Sequence, residues 1–257
     1  ILLKEGFTVS GSDTKESPLT KKLVSEGAHI IYGQKAENIT RDIGCVVYTA
    51  AINRNNPELI EAVALKIPML TRAELLGQLM KNYDTPIAVS GTHGKTTTTS
   101  MISHILLEGD LDPTISVGGI LKAIGGNIRV GNSGTFITEA CEYTNSFLHF
   151  FPKISVILNI EEDHLDFFKD LEDIRHSFHQ FAELLPEDGT LIINAEIKDY
   201  AEIYEGLSCN VVTYGTNGCF DYSAKNITYD ENGHVAFDLF RRGEYADHIQ
   251  LSVTGDH

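Results

Sequence analysis

The feature that most constrains the fold is a glycine-rich loop between an apolar strand and a helix. The loop reads SGTHGKTT from Ser90 to Thr97, after the apolar stretch Ile87–Ser90 and before a helix predicted over Lys95–Glu108. Backbone N–H groups at such a helix N-terminus bind phosphate, while the lysine and the threonine hydroxyl can reach the terminal phosphates and Mg²⁺. Val89 stands where the common G-x-x-x-x-G-K-[ST] pattern has its first glycine, so this is a shortened variant. These residues predict a nucleotide site formed by Gly91, Thr92, His93, Gly94, Lys95, Thr96 and Thr97.

The alternation of short strands and helices along the chain predicts two α/β domains. Residues 1–82 predict a Rossmann-like domain with a parallel sheet covered on both faces. Its first strand and glycine loop are expected to be missing, because the chain starts as if inside a helix closed by Gly6. The pattern of residues 83–257 predicts a P-loop mononucleotide-binding domain. From Tyr222 onward the pattern predicts three short strands that form a small antiparallel meander.

The formal net charge of −16 is placed unevenly along the chain. Residues 1–85 hold 10 basic and 10 acidic side chains, whereas residues 86–257 hold 10 and 26. Such an acidic surface repels a phosphate backbone, so no nucleic-acid partner is predicted. No apolar run approaches the roughly 18 residues of a membrane span, and no signal peptide is recognisable, so a cytoplasmic location is the default expectation.

Acidic side chains follow two of the apolar strands in the second predicted domain. Glu139 ends the stretch Phe136–Glu139, and Asp163 and His164 follow the stretch Ile154–Asn159. Because parallel strands end at one edge of a sheet, these side chains can meet a nucleotide's metal ion beside the glycine-rich loop of residues 90–97, the predicted phosphate loop. The alternative is that residues 161–166 form a solvated, acid-rich helix start.

A glycine-rich stretch without secondary-structure period lies between residues 118 and 129. It contains Gly118-Gly119 and Gly125-Gly126-Asn127, and Arg129 follows. Long loops in compact domains often carry function, and an arginine among glycines suits a carboxylate or phosphate on a substrate. A plain surface loop is the alternative.

With these motifs placed, the sequence resembles the Mur ligases over essentially its whole length. The resemblance rests on GFTVSGSD (residues 6–13), VYTAAINRNNP (47–57), SGTHGKTTTT (90–99), TEACE (138–142) and NIEEDHLD (159–166). The glycine loops at 118–120 and 125–127, together with VYTAAI, point to the alanine-adding branch of the family. The motifs GKTTT and DHxD alone would indicate only the wider family, which includes the folylpolyglutamate synthases.

The resemblance implies roles for individual residues. It implies that ATP and Mg²⁺ are the cofactors, with UDP-N-acetylmuramate and L-alanine as substrates. Lys95, Glu139 and His164 would be catalytic, and Thr96, Glu139 and His164 would hold the metal ion. The implied substrate contacts are Asp13, Thr49, Ala50 and Ala51 for the UDP portion, and Asn127 and Arg129 for the lactyl carboxylate.

The implied activity is ATP-dependent amide-bond formation in peptidoglycan precursor synthesis, through an acyl phosphate. The family's third domain is expected to be absent, because Gly255-Asp256-His257 resembles the start of its G-x-H-N adenine motif. These 257 residues alone are therefore expected to be a poor catalyst or none. Gln34 stands where the family has histidine, which leaves its contact open. The alternatives are ligation of a preformed murein peptide and a non-catalytic nucleotide-binding module.

Overall fold

The computed structural model describes residues 1–49 and 51–254, and these form an α/β protein with two compact units. The first unit is Ile1–Leu76 and the second begins at Gly77. The described α-helices are Pro18–Ser25 (α1), Pro57–Ala64 (α2), Arg72–Met80 (α3), Lys95–Glu108 (α4) and Leu171–Glu183 (α5). No helix among the described residues is long and apolar enough to cross a membrane.

The described strands are shared between the two units. In the first unit they are Ser10–Asp13 (β1), His29–Tyr32 (β2), Val46–Tyr48 (β3) and Met69–Thr71 (β4). In the second unit they are Thr85–Ser90 (β5), Thr114–Leu121 (β6), Gly126–Arg129 (β7), Thr135–Glu139 (β8), Ile154–Ile157 (β9), Thr190–Asn194 (β10), Asn210–Gly215 (β11), Tyr222–Tyr229 (β12), His234–Arg241 (β13) and Glu244–Thr254 (β14).

The first unit contains two parallel strand pairs, β1 with β2 and β3 with β4. The predicted parallel pairing is confirmed, but the expectation of one sheet is wrong for the described residues, which form two separate sheets.

Local capping explains where two of the helices begin. Ser17 and Thr20 form a reciprocal capping box on α1, and Glu74 accepts from the Thr71 N–H and hydroxyl at the start of α3. The division at residues 76 and 77 falls within α3, earlier in the chain than the predicted boundary at 82 and 83.

The second unit is built on a ten-stranded sheet in the order β14-β13-β12-β11-β10-β9-β5-β8-β6-β7. The strands from β12 to β6 in this order run parallel, whereas β7 pairs antiparallel with β6. The predicted antiparallel meander is confirmed as β12, β13 and β14. Strand β5 lies centrally, with β8 on one side and β9 on the other, which places it where the strand order reverses.

The core of this unit lies on the central parallel strands. They carry near-continuous apolar runs, as expected when both faces of a sheet are covered. Buried members of this cluster are Val89 of β5, Ile115 of β6, Ile137 of β8 and Val156 of β9. Burying an aliphatic side chain of this size contributes about 1.5–3 kcal/mol. The sheet therefore gives a rigid base to whatever follows its strands.

In this unit one sequence-based expectation is wrong, and one of the alternatives is excluded. Residues 118–129 are not an irregular loop, because they form the end of β6, a short 3₁₀ turn and β7. The glycines in these strands carry no side chain, so the sequence lacks the alternation of apolar and polar residues that predicts a strand. Residues 161–166 are not a helix start either, since α5 begins at Leu171 and is capped by Asp170.

Candidate nucleotide-binding site

The candidate site lies where three adjacent parallel strands end. The phosphate loop follows β5, Glu139 is the last residue of β8, and residues 158–166 follow β9. Crevices outside the carboxyl ends of parallel strands, at the point where strand order reverses, are the usual ligand positions in such sheets. The structure therefore brings the predicted loop, the acidic strand end and the histidine segment to one edge.

The phosphate loop depends on glycine at its first position. Gly91 has a φ of 146°, and a Cβ there would lie 2.9 Å from the Leu158 Cβ and 3.2 Å from the Asn159 nitrogen. Gly94 has a φ of 80° and is the N-cap of α4. The first turn of α4, Lys95 to Thr97, leaves its backbone N–H groups without intrahelical acceptors and therefore free for an anion.

The loop is hydrogen-bonded to the segment that follows β9. The Thr92 N–H donates to the Asn159 carbonyl at 3.2 Å, and the Thr92 hydroxyl accepts the Glu161 N–H at 2.9 Å. The Asn159 side chain contacts the backbone of His93. The His93 ring is exposed, 3.8 Å from Glu161 Oε2. Asn159 was not among the predicted site residues, and its only sequence signal was its place at the start of NIEEDHLD.

Lys95 points back over its own loop. Its Nζ donates to the carbonyls of Gly91 at 2.6 Å and Thr92 at 3.0 Å, and to both carboxylate oxygens of Glu142 at 3.1 and 2.9 Å. Glu142 is only 2% exposed. Glu142 belongs to the motif TEACE, but no role for it follows from the sequence, because a lone acid after a strand does not reveal that it becomes buried.

Thr96 and Glu139 lie together, as predicted for a metal site. The Thr96 hydroxyl donates to Glu139 Oε2 at 3.0 Å, and the Gly118 N–H donates to Glu139 Oε1. A Cβ at residue 118 would lie 2.7 Å from Glu139 Oε2, so glycine in β6 makes room for the carboxylate. The hydroxyl and carboxylate are hard oxygen ligands that suit Mg²⁺. The donor set therefore fits this ion.

His164 lies within the segment that follows β9. It has a φ of 51°, its Nε2 lies 3.8 Å from Glu142 Oε1, and its ring lies 4.5 Å from that of Tyr143. The Tyr143 hydroxyl donates to Asp166 Oδ2 at 2.8 Å, and this bond raises the pKa of Tyr143. His164 thus approaches the Lys95 partner Glu142. Within residues 1–49 and 51–254 no group of three His, Cys, Asp or Glu side chains is arranged to hold a metal ion.

Arg129 and Asn127 lie on β7, and the guanidinium of Arg129 already has protein partners. Its two terminal nitrogens donate to the Pro113 carbonyl at 2.8 Å and to the Asp112 carboxylate. Asn132 donates to the other Asp112 oxygen, and together these bonds lower the pKa of Asp112 to about 2. The predicted substrate contacts of Arg129 and Asn127 stay predictions.

The first unit has its own cavity, of about 310 Å³, lined by residues of β1, β2 and β3 and of the segments that follow β2 and β3. Thr49 and Gln34 are among the lining residues, and Gln34 accepts a hydrogen bond from the Asn56 side chain at 2.7 Å. Asp13 ends β1, and Ala51 follows β3 in a turn. Ala50 lies outside the described residues. The predicted UDP contacts of Asp13, Thr49, Ala50 and Ala51 stay predictions.

Comparison with known proteins bears on both units. The family model described as "Mur ligase family, catalytic domain" matches residues 1–84, and "Mur ligase middle domain" matches residues 89–257. The UDP-N-acetylmuramate--L-alanine ligase of Agathobacter rectalis is 60% identical over all 257 residues, and the chain spans 56% of that relative's length.

Two solved structures are also similar at 26% sequence identity. The UDP-N-acetylmuramate:L-alanyl-gamma-D-glutamyl-meso-diaminopimelate ligase of Neisseria meningitides has a TM-score of 0.86, covering 99% of this chain and 83% of that one. The UDP-N-acetylmuramate-alanine ligase of Thermotoga maritima has a TM-score of 0.82, covering 99% and 57%. The matches of both family models show that the chain belongs to the Mur ligase family.

Proposed function

We propose that the protein is an ATP-dependent ligase that joins L-alanine to the carboxylate of UDP-N-acetylmuramate in peptidoglycan precursor synthesis. The observation that carries this proposal is the meeting of Lys95, Thr96 and Glu139 at one sheet edge, with a donor set suited to a nucleotide and Mg²⁺. The 60% identity to a relative named for this reaction supports the choice of substrates. We further propose a cytoplasmic location, since its nucleotide cosubstrates are found there.

The chemistry needs ATP because a carboxylate resists attack by an amine. In the proposed first step a carboxylate oxygen of the sugar nucleotide attacks the γ-phosphorus, and the bond to the β–γ bridging oxygen breaks to release ADP. The alanine nitrogen then attacks the acyl carbon, loses a proton, and phosphate leaves with the electron pair of the carbon–oxygen bond. The products are the amide, ADP and phosphate.

The residues of the candidate site would have different roles in this reaction. Lys95 and the N–H groups of the loop would bind the terminal phosphates, which concentrates positive charge where the phosphoryl group is transferred. Thr96, Glu139 and His164 would hold Mg²⁺, which when bound supplies further positive charge on the phosphate oxygens. Asp13, Thr49, Ala50 and Ala51 would contact the UDP portion, and Asn127 and Arg129 the lactyl carboxylate.

The test is a reaction with ¹⁸O-labelled carboxylate in the full-length protein. With ATP, Mg²⁺, L-alanine and UDP-N-acetylmuramate labelled in its lactyl carboxylate, one ¹⁸O should appear in the phosphate product, and Glu139→Ala and His164→Ala should abolish phosphate release. Phosphate without the label would contradict the acyl-phosphate route. Substrate-coupled ATP hydrolysis that survives both substitutions would favour the non-catalytic module.

A second candidate is ligation of a preformed murein peptide, favoured by the similarity to the Neisseria structure, whose named substrate is such a peptide. The full-length protein can be assayed with L-alanine and with the tripeptide L-alanyl-γ-D-glutamyl-meso-diaminopimelate under the same conditions. We expect turnover with L-alanine. Turnover with the tripeptide alone would replace the first proposal by the second.

A further inference from the structure

Glu142 is a buried carboxylate that contacts the lysine of the phosphate loop. It is 2% exposed, and its two oxygens accept from Lys95 Nζ at 3.1 and 2.9 Å. A carboxylate removed from water keeps its charge only when it is paired with an opposite charge. Glu142 is therefore not one of the solvated acids that dominate this half of the chain, and its partner is the loop lysine.

The ammonium of Lys95 is fully engaged by these contacts. An ammonium group has three N–H bonds, and the acceptors around Nζ are the carbonyls of Gly91 and Thr92 and the carboxylate of Glu142. A phosphate oxygen can therefore bind Lys95 only by replacing one of the three. The two carbonyls belong to the loop itself, whereas Glu142 is an anion on a separate element, and so it is the acceptor that a phosphate can replace.

We infer that Glu142 is an internal counter-anion of the phosphate loop, which occupies the place on Lys95 that a terminal phosphate takes and is displaced when a polyphosphate binds. This inference rests on the proposed function in one respect, that the loop binds ATP. Glu142 also lies 3.8 Å from His164 Nε2, so its displacement connects the loop to the segment that follows β9. Glu142 acts through Lys95 and is a positioning residue.

The first experiment compares ligand binding by the wild type and Glu142→Gln of the full-length protein, by calorimetry at constant Mg²⁺ concentration. Glutamine keeps the shape of glutamate but not its charge, so it competes less for Lys95. We expect ATP and inorganic tripolyphosphate to bind about tenfold more tightly. The affinity for AMP should stay unchanged, since AMP has no terminal phosphates to place on Lys95.

Glu161→Gln is the matched control. Glu161 is exposed, lies 3.8 Å from the His93 ring and is not a partner of Lys95. Its substitution removes the same charge beside the same loop, and we expect an affinity change below about twofold, as for exposed charges. An equal gain in both variants would mean that general repulsion, rather than competition for Lys95, explains the effect, and would overturn the inference.

A second measurement uses the wild type and does not depend on the folding of Glu142→Gln. The ¹³Cδ resonance of Glu142, assigned by Glu142→Asp, should shift when ATP or tripolyphosphate is added, because the carboxylate loses its contact with Lys95. No shift on saturation would overturn the inference, and so would ATP binding by folded Glu142→Gln that is no tighter than in the wild type.

These outcomes separate the inference from the proposed function. If the wild type binds ATP and Glu142→Gln binds it no more tightly, the proposed function stands and the counter-anion role fails. If the wild type binds neither ATP nor tripolyphosphate while Glu142→Gln binds tripolyphosphate, the counter-anion role stands and the ATP site fails. If neither form binds either ligand, both fail.

Discussion

The Asn159 side chain hydrogen-bonds both backbone polar groups of His93. Its Oδ1 accepts the His93 N–H at 2.7 Å, and its Nδ2 donates to the His93 carbonyl at 3.2 Å. This pair of bonds fixes the middle of the phosphate loop to the segment after β9. Because His164 lies on the same segment, one short stretch of chain positions both the loop and the imidazole.

Asn159→Ala should weaken ATP binding by about tenfold, because the loss of two hydrogen bonds worth about 1 kcal/mol each lets the loop leave its phosphate-binding shape part of the time. Titration calorimetry measures the change. Asn226→Ala is the control, since Asn226 donates to Asp238 in the distant meander. Equal affinities for the wild type and Asn159→Ala would show that the loop keeps its shape without the two hydrogen bonds from the Asn159 side chain.

Gly91→Ala should destabilise the second unit by about 2 kcal/mol or more, because residue 91 combines a positive φ with a Cβ position 2.9 Å from Leu158. Gly125→Ala separates the two causes. Gly125 also has a positive φ, of 62°, but its Cβ position is open, so a cost of about 1 kcal/mol is expected. Urea unfolding measures both, and equal costs would contradict the role of the close contact.

Thr96→Ala should remove most of the effect of Mg²⁺ on ATP binding, whereas Thr96→Ser should keep it, because only the hydroxyl is proposed to reach the ion. The measurement is ATP affinity with Mg²⁺ and with EDTA. We expect the ratio of the two affinities to fall by about tenfold in Thr96→Ala. An unchanged ratio would rule out Thr96 as a ligand and leave its bond to Glu139 as its role.

Asp112→Asn should lower the melting temperature at pH 7, and the difference from the wild type should shrink as the pH falls below about 4. The pKa of Asp112 is lowered to about 2 by bonds from Arg129 and Asn132, so the ionised carboxylate stabilises the folded state above its ordinary value near 4. That stabilisation is lost as the pH falls from about 4 to about 2. Melting curves between pH 7 and 2.5 test this, and a pH-independent difference would contradict it.

The phosphate loop and its helix could be predicted from the sequence almost to the residue. The predicted helix Lys95–Glu108 has those bounds in the structure, and Ser17 and Thr71 cap the helices that directly follow them. These features are local, because a glycine turn, an N-cap side chain and a helix start lie within a few residues of one another. A chain segment of that length therefore contains all the residues from which such a feature can be predicted.

Features that depend on a partner distant in sequence were predicted less well. Strand β7 was expected to be loop, because its glycines give no alternation and its pairing with β6 exists only in the sheet. The sequence does not indicate the partners of Arg129, since Asp112 and Pro113 contact it only through the folded structure. No sequence pattern indicated that Glu142 would become buried against Lys95, 47 positions away.

The sequence by itself determined the family, the glycine-rich loop after β5 and the α/β class of this protein, because each rests on short motifs and on periodicity along the chain. The tertiary structure decided which side chains share the site. Parallel strands β8, β5 and β9 end side by side, and only that arrangement brings Glu139 to Thr96, Asn159 to His93 and Glu142 to Lys95. Those contacts depend on sheet order, which long-range packing selects and no local segment encodes.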